Sequence, residues 1–159
     1  MRKLAPLFVF SIAFGFVEAA IVVYLRRLFG FSLGYPSGGY SVAANLGVIA
    51  FLKPGSMVLP DSTITQIEIL REIATLIMLC SVAAIVGKSK KNKFGALLVA
   101  FSLWDIFYYI FLKVLIGWPN SLFDTDVFFL NPVPWIGPVI TPLVIFCILL
   151  LLGLKLLKD

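Results

Sequence analysis

Apolar side chains fill four long stretches of this chain almost without a break, and polar side chains gather between them. The runs are Leu4 to Leu25, about Ile64 to Val86, Phe94 to Ile116 and about Ile136 to Leu157. A helix rises 1.5 Å per residue, so about 20 residues cross the roughly 30 Å of a bilayer's hydrocarbon. Each run is long enough. The pattern therefore predicts an all-α integral membrane protein, a four-helix bundle forming one membrane domain over residues 1–159. The first run also resembles a secretory signal, with Arg2 and Lys3 before it and Val17-Glu18-Ala19 as a cleavage-site pattern. The apolar stretch continues past that site to Leu25, so we read it as a retained first helix.

Composition agrees with the pattern. The chain is 61% hydrophobic and 13% charged over 159 residues, and its mean hydropathy is +1.07. Soluble domains carry about 25% charged residues. A net charge of +5 raises the question of nucleic acid, but the basic residues lie at the ends of the apolar runs, where they set orientation instead. No nucleic-acid partner is expected. Arg2, Lys3, the segment Lys88-Ser-Lys-Lys-Asn-Lys93, Lys155 and Lys158 fall on one side of the membrane, against Arg26, Arg27 and Lys53 on the other. The positive-inside rule puts both termini in the cytoplasm of a cell whose plasma or inner membrane the chain spans. Arg26, Arg27 and Lys53 read as interface anchors.

Two long loops then share the extracytoplasmic side. The first, residues 26–62, contains Gly34-Tyr-Pro-Ser-Gly-Gly-Tyr40 and the apolar piece Leu46 to Leu52, which is too short to span and suits a re-entrant or interfacial segment. The second, about Gly117 to Trp135, carries Trp118-Pro119, Asp124, Asp126 and Asn131-Pro-Val-Pro-Trp135. Its tryptophans suit an interfacial belt, its prolines rule out a regular helix, and Asp124 and Asp126 read as solvated loop acids. Cys80 and Cys147 lie inside apolar runs and read as small buried hydrophobes.

What breaks the apolar pattern is charge. Glu18 lies about 10 Å below the outer end of the first run, Arg71 and Glu72 about 10–12 Å inside the second, and Asp105 near the middle of the third. Glu68 and Lys113 sit nearer the outer boundary. A charge at the centre of a spanning helix costs about 2.5–3.5 kcal/mol on insertion scales, so these residues should face the bundle interior. Helical spacing groups them into stripes. Ser11, Gly15, Glu18 and Ala19 share one face of the first helix. Glu68, Glu72 and Thr75 align on the second with Arg71 at the flank. Ser102, Asp105, Tyr109 and Lys113 align on the third, with Tyr108 beside them. Thr63 with Gln66 suggests a capping box at the start of the second helix. Arginine can bridge two carboxylates, which places Arg71 at the centre, holding Glu18 or Asp105, and puts a tyrosine hydroxyl on Asp105. Acids outnumber cations in the set Glu18, Glu68, Arg71, Glu72, Asp105, Tyr109 and Lys113, so a held proton or a bound cation is expected.

Chemistry is bounded mainly by exclusion. There is no histidine, which removes the commonest general base and metal ligand. No glycine-rich phosphate loop, serine elbow or cysteine-based metal motif occurs. No cofactor is expected; an oxygen-ligated cation such as calcium, magnesium or manganese stays open, with Glu18, Glu68, Glu72 and Asp105 as ligands. The favoured reading is a small carrier component, or a subunit of a larger membrane complex, that binds a proton, a cation or a cationic solute. Four helices are few for a transporter, so further copies or other membrane subunits are its expected partners besides the lipid bilayer. One alternative is a membrane-embedded enzyme acting on a lipid-like substrate by Glu/Asp acid–base chemistry. The other is a purely structural or assembly subunit.

Overall fold

The computed structural model describes residues 4–30, 41–53 and 59–158. The segment Gly34 to Tyr40, with Arg2 and Lys3, lies outside them. Helices α1 (Leu4–Leu28), α2 (Ser62–Val86), α3 (Lys90–Ile116) and α4 (Ile140–Lys158) are each long and apolar enough to cross a membrane. This is a mostly helical, multi-pass membrane architecture.

The loops depart from the all-α expectation. Strands β1 (Val42–Asn45) and β2 (Ala50–Leu52) come from the first loop, and β3 (Thr125–Phe129) and β4 (Trp135–Pro138) from the second. They form one antiparallel sheet in the order β1-β2-β4-β3. The apolar piece Leu46 to Leu52 is thus the turn and second strand of a hairpin. Asn45 and Gly47 make its turn: the Asn45 side chain accepts the Gly47 N–H at 2.8 Å, a local bond that asparagine favours. The two loops meet where Phe51 pairs with Trp135, their rings 5.3 Å apart. Residues 136–138, expected to open the fourth helix, belong to this sheet, and α4 begins only at Ile140.

Helix ends also shift. Asp61 caps α2, its carboxylate accepting the Ile64 N–H at 2.8 Å, so the Thr63 capping box is not used. Ser89 caps α3 through the Asn92 N–H, which turns most of the lysine segment into the helix's first turn. Both are the short polar acceptors that satisfy unpaired N–H groups at a helix start.

Helix α3 is the hub. Within its spanning window 67% of residues are buried, against 33% for α1 and 22% each for α2 and α4. It packs on all three others, while α1 and α2 touch only slightly. Small residues allow this. A Cβ on Gly15 of α1 would lie 2.7 Å from the Trp104 carbonyl oxygen, so α1 rests directly on the backbone of α3 at the level of the charged residues. Lower down, Gly95 of α3 and Gly153 of α4 face each other in the same way. Close approach through small residues is how membrane helices gain packing contacts when lipid removes the hydrophobic drive. The outer faces of α2 and α4 keep large apolar side chains exposed, among them Leu70, Ile77, Ile148 and Leu151. Cys80 and Cys147 are exposed there too, contrary to the buried expectation.

Candidate functional site

On α1 the buried stripe runs Leu7, Ser11, Gly15, Glu18, Ala19, Val22, Arg26. Its spacing of three and four residues carries one face of the helix along α3. Glu18 enters the bundle on this stripe and meets Arg71 of α2, whose Nη1 lies 2.6 Å from a Glu18 carboxylate oxygen. The Arg71 Nε donates to Glu68 one turn earlier at 2.8 Å. Arg71 therefore bridges two carboxylates, Glu18 and Glu68. It does not hold Asp105.

Glu72 has a different task. Both of its carboxylate oxygens accept the Leu130 N–H at 2.9 Å, and one also accepts the Asn131 side-chain amide at 2.9 Å. The same Asn131 nitrogen donates to the Ile69 carbonyl at 3.1 Å. Glu72 thus ties the β3–β4 turn to α2.

Asp105, on the hub helix, is 7% exposed. Its Oδ2 is buried and has no hydrogen-bond partner among the described residues. The tyrosine hydroxyls expected on Asp105 turn elsewhere: Tyr108 donates to Asp126 at 3.3 Å, and Tyr109 bonds the same carboxyl. Lys113 also leaves the predicted set. It is exposed, and its ammonium donates to the Gly117 and Pro119 carbonyls at 3.0 and 2.8 Å. These carbonyls lie just past the end of α3, where a cation is favoured.

Two residues read as surface groups prove to be buried. Asp126 and Arg26 are 0% and 2% exposed, and their side chains pair at 3.3 Å. The Arg26 guanidinium also lies over the Trp118 ring, 3.8 Å from its centre. Trp118 is itself buried, so it serves as a stacking platform inside the fold instead of an interfacial belt residue. Asp126 sits on β3, outside the spanning helices. Burial pushes its carboxyl above the ordinary carboxylate range, opposed by the Arg26 charge and the tyrosine hydroxyls. Position 126 gave one signal: it sits beside a run of strand-forming residues, so alternation could point its side chain inward. Asp124 behaves as a loop acid, accepting the Asn120 and Ser121 N–H groups at 2.8 and 3.2 Å.

Between these groups lies a cavity of about 50 Å³. Glu18, Glu68, Arg71, Glu72 and Asp105 line it, with Tyr108, Tyr109 and Trp104 from α3 and Val127, Phe128 and Leu130 as a roof from the sheet strand and its turn. Four carboxyl groups face one guanidinium there. Asp105 also lies within electrostatic reach of Glu18 and Asp126. No three acids among the described residues stand in an arrangement able to hold a metal ion. The cavity has room for a few water molecules, whereas ligand pockets for drug-sized molecules run to about 300–1,000 Å³. Compared with family models, curated proteins and solved structures, the chain matches none.

Proposed function

We propose that this protein binds a proton or one small cation in the cavity beneath its sheet, as a carrier component or a subunit of a larger membrane complex. The reading includes both termini in the cytoplasm and the sheet on the opposite side, in a plasma or inner membrane. The observation that carries it is Asp105: a buried carboxyl oxygen without a donor, in a space where four acids meet one arginine. An uncompensated buried charge costs several kcal/mol, so a proton or cation completes the balance. Intramembrane acids of this kind commonly mark ion or proton pathways. The cavity's size favours a proton or small ion over a bulky cationic solute or a lipid headgroup.

The test is an infrared titration of purified protein in nanodiscs, beside calorimetric titration with sodium, potassium, magnesium and calcium. A protonated-carboxyl band at neutral pH that vanishes in Asp105→Asn supports the proton. Saturable cation binding lost in the same variant supports the ion. Neither signal, in protein that remains folded, overturns the reading.

A second reading, a structural or assembly subunit, draws on Arg71 and Glu72, whose hydrogen bonds tie α1 and the sheet to α2. It requires that Glu18→Gln with Asp105→Asn lower stability and leave the activity of the parent system intact. Buried polar groups can also serve solely to hold helices together.

A further inference from the structure

A second cavity, about 430 Å³, opens on the flank of the bundle between the last turns of α3, the first turns of α4 and the loop at 119–122. Its walls are almost wholly apolar, with Ile110, Val114, Leu122, Val139 and Leu143 among them. Ile110 is 44% and Val114 74% exposed, so the open side looks outward from a helix long and apolar enough to cross a membrane. Lys113 is the cation among its lining residues.

We propose that this groove holds one anionic phospholipid, with an acyl chain against Ile110, Val114 and Leu143 and the phosphate at Lys113. Three features point to that occupant. An apolar furrow open to the bilayer side is surrounded by acyl chains. Lys113 lies three residues before the end of α3 at Ile116, the level at which headgroups begin and basic side chains meet lipid phosphates. Its ammonium is held in place by the Gly117 and Pro119 carbonyls, and a lysine carries three N–H donors, so one remains for a phosphate oxygen. The nearby Asp124 does not line the groove and is engaged with backbone N–H groups. Tyr109 lines both this groove and the charged cavity, so the bound chain rests against the wall of the carboxylate site. The proposal stands whatever occupies that site.

The experiment is native mass spectrometry of the full chain, released from phosphatidylcholine nanodiscs doped with phosphatidylglycerol. Wild type is expected to retain one phosphatidylglycerol in preference to phosphatidylcholine. Lys113→Gln should weaken that preference about fivefold, the effect of one lysine at an anionic lipid surface. Lys113→Arg should keep it, and Lys155→Gln, which removes a charge elsewhere, should leave it unchanged. Leu143→Trp, which fills the groove and spares the charge, should also abolish retention. Equal retention of both lipids by wild type overturns the proposal. So does loss in Lys113→Gln with full retention in Leu143→Trp, or displacement of the lipid by millimolar inorganic phosphate, which would make this a headgroup site without a chain.

Discussion

Arg26 and Asp126 stand a hundred residues apart in sequence and pair at 3.3 Å with both side chains removed from solvent. The pair ties strand β3 to helix α1 beneath the sheet. Breaking one partner of a buried pair costs about 3–5 kcal/mol, because the other charge is left uncompensated. Asp126→Asn and Arg26→Met should each lose about that much, and the double variant should lose less than the sum. Unfolding in micelles reads all three. Additive losses would mean that the two charges do not support each other.

The same carboxyl sets a pH dependence. Burial raises Asp126 above its ordinary range, so the folded protein keeps this proton at pH values where the unfolded chain, which titrates at about 3.9, has released it. Its contribution to stability is full below that value and is lost as pH rises through the raised one. Melting temperatures across the acid range should carry this falling component in wild type and lack it in Asp126→Asn. An unchanged pH profile in the variant would assign the proton elsewhere.

Arg71 should behave as a bridge. Arg71→Met leaves Glu18 and Glu68 buried without their cation and should cost about 3–5 kcal/mol. Adding Glu18→Gln removes one of the stranded charges and should restore part of that loss. Arg71→Lys should fall between, since an ammonium lacks the planar fork that reaches two carboxylates at once. If the lysine variant matches wild type in unfolding measurements, the bridging geometry contributes nothing.

Glu72 should separate charge from hydrogen bonding. Glu72→Gln retains an acceptor for the Leu130 N–H, whereas Glu72→Ala leaves that donor unsatisfied at a cost of about 1–3 kcal/mol. Hydrogen exchange at the Leu130 amide should speed up strongly in the alanine variant and little in the glutamine variant. Equal exchange in both would mean that the carboxylate does not hold the turn.

Gly15 should tolerate no side chain. A Cβ there meets the Trp104 carbonyl at 2.7 Å, and backbone cannot swing aside as a side-chain tip can. Gly15→Ala should destabilise the bundle by about 1–3 kcal/mol and displace Glu18 from Arg71. A melting temperature at or above wild type would contradict so close a contact.

Several parts of the site were legible one helix at a time. Ser11, Gly15, Glu18 and Ala19 recur at three- and four-residue spacing, and all four are buried. The reason is energetic: lipid contact is so costly for Glu18 that its face must turn inward. Arg71 as a bridge followed from guanidinium chemistry, although its partners, Glu18 and Glu68, were only partly foreseen. Lys113 was misplaced by the same periodicity. It shares a helical face with Asp105 and Tyr109, but a long side chain one turn from a helix end reaches the terminal carbonyls instead.

The sequence by itself determined four helices long and apolar enough to span a membrane and the inward direction of Glu18 and Asp105, because an apolar run has few stable forms in a bilayer and its polar interruptions have few tolerable directions. Tertiary structure alone decided the sheet, the burial of Arg26 and Asp126, and the unpartnered Oδ2 of Asp105. Strand pairing between loops some 80 residues apart, as at Phe51 and Trp135, leaves no local periodicity to read. Whether a loop acid is solvated or buried depends on which distant arginine the fold brings beneath it.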